Sequence, residues 1–595
     1  MKTEWNLPKV DQMLCSILSR EIDIEPLIAQ IIINRGMTDS ISARRFLDPS
    51  LKYLYDPFMM KDMDKGIRRI IDAIRGREKI CIYGDYDVDG ITATALLITF
   101  FREVGIDVSY YIPDRISEGY GLNIQAIKEI RGAGVSLIIT VDCGISDIDE
   151  VEEAKGLEID LIITDHHHVP DRLPDAVAIL NPEQKDCPYP FKYLSGVGIA
   201  FKMIKGLRSA LRKEKWFQGV LPNLKRHLDL VALGTIADIA PLVDENHILV
   251  KYGLKEITNN SKIGLRSLKV ISGINEKDID TYDVGFVLAP RLNATGRIGR
   301  GDMGVELLIS EDISRAMDIS RYIERVNRER QHIQEKILKE VKEIIEGGLT
   351  SKESSLPISR GTQAGDSIRP IVLASDKWHP GVIGIVASKI VDDYFTPTIL
   401  ISLDGERGRG SARSTPFFHI YDGLRECSDL LIDFGGHKSA AGLTIKKEKI
   451  EEFKERFNMV VKKGISNIDT IPIINIDAIV DLNALNKDVV KSIDSLGPFG
   501  HSNPQPILLA QGVRVIGEHS IIGKNGQHLK FKVLYGSRAI DVIGFNMSYM
   551  AEAQGLTPSF NPSDSRFDIV FTPQINRWNN SETLQLKLRD MRKTV

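Results

Sequence analysis

The sequence predicts an α/β protein: a parallel-sheet domain joined by a long helix to a second α/β domain, with a small β-barrel at the carboxyl end. Three observations predict it. From residue 79, apolar runs of strand length alternate with helical stretches, the pattern of a parallel sheet buried on both faces. Residues 303–347 carry helical periodicity with a strongly charged stretch from Arg321 to Lys342, which fits a solvated helix bridging two domains. After about residue 471, short alternating strands follow one another between turn signals, as in a small barrel.

At 595 residues the chain is too long for one core, and roughly three to five domains are expected. Apolar content of 43% with 27% charged residues is that of a folded protein rather than a disordered one. The net charge of −4 argues against a globally basic nucleic-acid coat but leaves room for a local basic channel. The five cysteines are odd in number and scattered, with no C-x-x-C pair, so reduced thiols are expected. The opening Met-Lys-Thr-Glu-Trp-Asn has no apolar signal core, and no run approaches transmembrane length. A soluble, cytoplasmic protein without a membrane partner is expected.

Residues 1–78 mix short helical patterns with turn signals such as Asp48-Pro49 and carry no catalytic constellation. The strand Ile80-Cys-Ile82 then leads into Tyr83-Gly-Asp-Tyr-Asp-Val-Asp-Gly90, which sets Asp85, Asp87 and Asp89 alternately in a glycine-bounded turn before a helix. Three carboxylates this close repel one another unless a cation sits among them. An ordinary acidic loop is the alternative for this stretch alone. Two more apolar strands end at Asp142-Cys-Gly144 and Asp165-His-His-His168. In a parallel sheet the carboxyl ends share one edge, so these side chains converge where ligands collect in open α/β sheets. Asp238 lies in an apolar helical run, Leu228 to Ala240, where an unpaired carboxylate is expensive to bury and a cation would explain it.

In this order, Gly-Asp-Tyr-Asp-Val-Asp-Gly, Val-Asp-Cys-Gly, Asp-His-His and Gly-Thr-Ile-Ala-Asp resemble the motifs of the DHH phosphoesterase superfamily, and within it the RecJ-type single-stranded-DNA exonucleases. Carboxylates and imidazoles without thiolates suit hard or borderline divalent ions, manganese or magnesium before zinc, in a number sufficient for two. The resemblance implies Asp87, Asp89, Asp142, His166 and Asp238 as ligands, with Asp142 as the bridge and Asp85 as a further ligand or an orienting partner. It implies two ions, manganese first, and a catalytic set of Asp89, Asp142 and His167, with His167 nearest the scissile phosphate. One departure concerns Tyr83, which stands where many relatives have a histidine and is a poor ligand at neutral pH. His168 has no assigned role.

Beyond Gly285, Arg291-Leu-Asn-Ala-Thr-Gly-Arg297 reads as a glycine-containing basic loop, and residues 348–369 as a flexible polar insertion. Gly408-Arg-Gly-Ser-Ala-Arg-Ser414 and Gly435-Gly-His-Lys-Ser-Ala-Ala-Gly442 read as loops whose glycines admit a phosphate, with Ser411, Arg413 and His437 as donors. These segments resemble the DHH-associated domain, which implies a substrate-phosphate set of Arg291, Asn293, Ser411, Arg413 and His437. In the barrel, Lys530, Phe531, Lys532 and Trp578 suit a strand-binding groove, and Pro498 to Pro506 resembles the entrance to the RecJ-type OB-fold.

The expected domains are 1–78, packing on the catalytic core; 79–284, the DHH catalytic domain; 285–347, the connecting helix; 348–369, the insertion; 370–465, the DHH-associated domain; and 466–595, the OB-fold. The resemblance implies metal-dependent 5′ to 3′ hydrolysis of single-stranded DNA to 5′-mononucleotides in recombination and repair. It also implies work alongside a single-strand-binding protein and a helicase. Two other functions compete: a DHH phosphodiesterase acting on short oligonucleotides or cyclic dinucleotides, and a non-catalytic replication scaffold.

Overall fold

The computed structural model describes residues 3–217, 219–259, 261–350, 369–465, 473–523, 526–555, 566–578 and 581–594. Most of the expected polar insertion, residues 351–368, lies outside the described residues. The chain divides into two compact units, one of Tyr55–Ala240 and Tyr252–Ile471, the other of Thr3–Leu54, Pro241–Lys251 and Pro472–Val595.

The first unit opens with five parallel strands, β1 (Lys79–Gly84), β2 (Ser109–Tyr111), β3 (Val135–Val141), β4 (Asp160–Thr164) and β5 (Ala178–Leu180), in the order β2-β1-β3-β4-β5. Gly84 pairs with Val141, and Val141 with Thr164. The three strands therefore stop in register, and the acidic and imidazole residues that follow them leave the sheet at one edge. Helix α1 (Val88–Glu103) follows the acidic turn and is buried along most of its length, because it packs on the sheet and on α2 (Gly196–Lys213) and α3 (Leu228–Ala237).

Residues 291–297 form part of a helix, α4 (Ala289–Ile298), rather than the expected loop. Their loop-like composition is overridden by the π-helical turn Asp283–Leu288, which runs straight into α4, and by packing of α4 on the long helix α5 (Ile313–Thr350). Helix α5 is also less solvated than its charge suggests. Its residues Ile337, Val341 and Ile345 bury a stripe against Trp378, Val382, Val386 and Ile390 of the following domain.

That domain contains β6 (Ile371–Ser375), α6 (Pro380–Tyr394), β7 (Thr398–Asp404), β8 (Arg407–Arg413), β9 (Leu431–Gly436) and β10 (Ala440–Lys446), in sheet order β9-β10-β8-β7-β6. Both glycine-rich segments expected as loops thus lie mostly in antiparallel strands, with only the turn at 437–439 between β9 and β10. Their glycines serve packing: a Cβ on Gly410 would lie 2.7 Å from Leu443 Cγ.

In the second unit, β11 (Leu508–Ile522), β12 (His528–Tyr535), β13 (Arg538–Gly544), β14 (Arg566–Trp578) and β15 (Ser581–Lys593) close into a barrel in the order β11-β12-β13-β15-β14, with β14 pairing back onto β11. Residues 3–54 belong here and not with the sheet of the first unit. The apolar faces of their helices, Leu18, Ile22, Ile28, Ile31 and Ile32, share one core with Leu482, Val490 and the barrel interior, and Glu4–Asn6 pairs in parallel with Ile473–Asn475. Of the expected N-terminal region, Met63–Gly76 does pack in the first unit, where Gly66 lies against Ile162 and Ala178.

Candidate metal centre and phosphate pocket

Asp87 caps α1: its Oδ1 accepts from Asp89 N at 2.8 Å and Gly90 N at 3.2 Å. This bond is satisfied at a helix N-terminus, where a carboxylate is favoured, and it holds the turn so that Asp85, Asp87 and Asp89 face inward. Asp89 is fixed by a second helix, accepting from Gly196 N at 2.6 Å and Val197 N at 2.9 Å at the start of α2. Helix α3 comes close because residue 234 is glycine; a Cβ there would lie 2.7 Å from Asp89 Oδ1. Asp238 caps the carboxyl end of α3.

Three overlapping groups result: Asp85, Asp87 and Asp142; Asp142, His166 and His167; and Asp89, His166 and Asp238, each with one ligand atom per residue within 4.8 Å of the others. Asp142 and His166 each belong to two groups. His166 Nε2 lies 3.0 Å from Asp142 Oδ1 and 3.9 Å from Asp89 Oδ2, and its Nδ1 lies 3.8 Å from Asp238 Oδ2. Asp142 itself sits in left-handed backbone at φ +65°.

Asp85 Oδ1 is buried without a hydrogen-bond partner, and Asp142 Oδ1 is buried with only the unaligned His166 Nε2 at 3.0 Å, a costly state for a carboxylate. Burial and then Asp87 push the Asp85 carboxyl well above its ordinary range, and burial and then Asp89 do the same to Asp142. A group of buried acids driven to keep their protons, together with orphaned oxygens and two imidazoles, fits divalent cations.

His167 is set up differently. Its Nδ1 lies 2.7 Å from Asp165 Oδ1, and Asp165 also accepts from His167 N and Ile145 N, each at 3.0 Å. Burial alone would lower the imidazole, but the bond and charge of Asp165 outweigh it and raise it to about 9. Burial likewise pushes Asp165 up, and His167 more than reverses it, so Asp165 stays below the usual carboxylate range. Tyr120, absent from the residues expected at the site, places its hydroxyl 3.2 Å from Asp142 O and 3.0 Å from His167 Nδ1. The flanking glycines, both at φ +89°, were the signal for it.

Tyr83 takes no part: it is fully buried in an apolar cluster, stacks on Tyr111 and donates to Gly121 O at 3.1 Å. Asp85 stands in the acidic group in its place. His168 is exposed and belongs to none of the three groups.

A cavity of about 390 Å³ begins at Tyr86, the residue between Asp85 and Asp87, and is lined by Arg115, Arg297, Arg409, Ser411 and Arg413. Among the described residues no carboxylate pairs with any of these four arginines. Burial, then Arg115 and Arg413, lowers the Arg297 guanidinium to about 9, and burial, then Arg115, lowers Arg413. Arg115, Arg297 and Arg413 are half-buried and Arg409 is exposed; unpaired, partly desolvated cations that repel one another, as the first three do, are a ready site for a phosphate.

Three of the expected phosphate ligands, Arg291, Asn293 and His437, do not line the cavity. Arg291 is committed to Glu324 of α5 at 2.8 Å and to Val287 O at 2.7 Å, and Asn293 Oδ1 accepts from Val88 N at 3.2 Å at the start of α1. His437 is exposed in the turn after β9; partial desolvation and then the charges of His167 and His168 lower it.

On the barrel, Lys530 and Lys532 are exposed as expected, but Phe531 points the other way and is 2% exposed within the core. Strand alternation forces this, since neighbours on a strand face opposite sides. An exposed aromatic of that surface is Phe545, with His528 edge-on at 5.3 Å and Lys587 Nζ 5.5 Å from its ring centre. The Trp578 side chain lies outside the described residues.

The DHH family N-terminal domain profile matches residues 79–235, the DHHA1 domain profile 368–463, and the RecJ OB domain profile 476–590. The single-stranded-DNA-specific exonuclease RecJ of Bacillus subtilis is 39% identical over 591 residues, covering 99% of this chain and 71% of that protein. The chain belongs to the RecJ family. Its Haemophilus influenzae relative of the same description is 34% identical, covering 91% of this chain and 92% of that one. Among solved structures, Thermus thermophilus RecJ in complex with Mn2+ matches with a TM-score of 0.81 at 27% identity, over 100% of this chain and 80% of that chain. The same protein with Mg2+ matches with a TM-score of 0.74 at 26% identity, over 100% of this chain and 79% of that chain. No described helix is long and apolar enough to cross a membrane.

The buried acids predict a pH effect in the metal-free protein. Burial, then Asp238, raises Asp89 to about 7. The folded state then holds a proton that the unfolded chain has already lost, so stability falls as pH rises from about 5 to about 7. The His167–Asp165 pair contributes fully below the unfolded histidine value of about 6.5 and is lost as pH rises through about 9. Thermal unfolding in chelator is expected to show a falling midpoint over the first interval, flattened by manganese, which would displace the Asp89 proton from a cluster able to hold a cation. A flat profile without metal contradicts the protonated cluster.

Proposed function

We propose that this chain is a metal-dependent exonuclease that hydrolyses single-stranded DNA from its 5′ end to 5′-mononucleotides. The observation that carries the reading is the cavity of unpaired arginines that starts at the acidic turn itself, at Tyr86. A terminal phosphate fits such a cavity, and an uncharged strand end does not.

Asp85, Asp87, Asp89, Asp142, His166 and Asp238 would hold two divalent ions, manganese before magnesium, with Asp142 shared between them. Such ions neutralise phosphoryl charge and activate water. The protein groups bind and orient. Asp165 fixes His167 through Nδ1, which leaves Nε2 to carry a proton and donate to a phosphoryl oxygen. Arg297, Ser411 and Arg413, with Arg115, hold the terminal phosphate. Asp87 and the start of α2 keep the acids from relaxing away. Lys530, Lys532, Lys587 and Phe545 offer the strand a basic and aromatic surface on the barrel. A role in recombination and repair, the cytoplasm as compartment, and a single-strand-binding protein and a helicase as partners are carried by the resemblance alone.

The test is digestion of end-labelled single- and double-stranded DNA and RNA with manganese, magnesium or chelator. Mononucleotides are expected from the 5′ end of single-stranded DNA, with manganese and not with chelator. Release from the 3′ end, or release that survives chelation, overturns the proposal. The same assay separates it from a phosphodiesterase limited to short or cyclic substrates, and from a scaffold.

A further inference from the structure

Helix α3 ends in a backbone closure in which Ala240 N donates to Thr235 O and Ile239 N to Ile236 O, both at 3.2 Å. This closure puts its penultimate residue in left-handed backbone, a place glycine fills at low cost. Here it is Ile239, at φ +60°. A β-branched residue in that conformation is a genuine outlier, of the kind that clusters at working sites. The strain is not offset by burial: Ile239, next in sequence to Asp238, is 68% exposed.

Helix α3 packs on the π-helical turn Asp283–Leu288, where Gly285 faces Ile236. π-Turns inside helices are frequent at functional sites. The inner side of this one is anchored by Val284 and Leu288, which are buried, and by Asp283, whose carboxylate lies 2.7 Å from Lys277 Nζ. Its outer side presents Tyr282 and Phe286, 62% and 70% exposed, with ring centres 4.9 Å apart and planes 25° apart. Two stacked rings held in water by a buried anchor, on the element that packs against the Asp238 helix, form an apolar platform of the kind that marks a binding surface.

The geometry points to Tyr282 and Phe286 as a stacking platform for nucleobases of the strand that leads away from the metal centre, with the exposed Ile239 at the Asp238 end of the helix on which the platform's element packs. This rests on the reading of that centre as one acting on single-stranded DNA. A nucleobase is the occupant that flat exposed rings accept without regard to sequence, and the turn that carries them packs on the helix that ends at Asp238, whose centre is read as acting on the phosphates of the same polymer.

The test compares wild type with the double variant Tyr282→Ala, Phe286→Ala on a 5′-phosphorylated dinucleotide and on a long single strand. KM for the long strand is expected to rise about tenfold or more, with kcat/KM for the dinucleotide unchanged. Tyr282→Phe, Phe286→Trp should behave as wild type. Abasic sites walked along the strand should weaken wild-type binding at one or two fixed positions and leave the alanine variant indifferent. An unchanged KM for the long strand, or equal losses on both substrates, overturns the platform. If wild type fails to cleave single strands at all, the reading of the centre fails instead. Binding of a fluorescent strand in chelator then decides the platform: weaker binding by the alanine variant supports it, and equal binding overturns it.

Discussion

Asp142→Asn lowers nucleotide release by more than about a thousandfold, since the substitution removes the carboxylate shared by two of the three ligand groups. The same change is expected to stabilise the metal-free protein near pH 8. In wild type, burial and Asp89 oppose ionisation of Asp142, and an amide of the same shape carries no charge to oppose. A residue needed only for folding gives the reverse pattern, with activity and unfolding temperature falling together. Activity assays and thermal unfolding of one preparation distinguish the two.

Arg413→Ala is the second large effect. A charge-assisted hydrogen bond contributes about 1.5 to 3 kcal/mol, so KM for a 5′-phosphorylated strand should rise roughly ten- to hundredfold. A strand ending in a 5′-hydroxyl should change little, so the preference for a terminal phosphate collapses. Arg413 lies among arginines that oppose one another's charge, so its removal should leave the unliganded protein no less stable. Equal losses on phosphorylated and unphosphorylated strands contradict the phosphate pocket.

The convergence of the acidic and imidazole side chains was legible in the sequence because each part of the cluster is local. An apolar strand followed at once by an acid or an imidazole fixes that residue at the sheet edge, and the register of Gly84, Val141 and Thr164 does the rest. The arginine-lined cavity was only half legible. Ser411 and Arg413 stand out in a glycine-rich segment that also holds Arg409 on the same strand β8, but Arg115 comes from a loop and Arg297 from α4, and only the packing of the two α/β domains brings them together. In a loop, Arg291 would be as free as Arg297 to reach a phosphate. In the helix, positions six apart lie about 120° apart around the axis, and Arg291 turns to Glu324 while Arg297 turns to the cavity. Phe531 failed for a simpler reason: period-two alternation cannot put it on the same face as Lys530 and Lys532. Tyr83 shows the reverse case, in which a departure from the family pattern is absorbed by the core while Asp85 remains at the site.

Equilibrium manganese binding to the wild-type protein and to Asp142→Asn, near pH 8, tests the central claim most directly. Two equivalents are expected for wild type and at most one, bound more weakly, for the variant. Two equivalents bound with unchanged affinity by Asp142→Asn would contradict the shared-carboxylate centre on which the proposed chemistry depends.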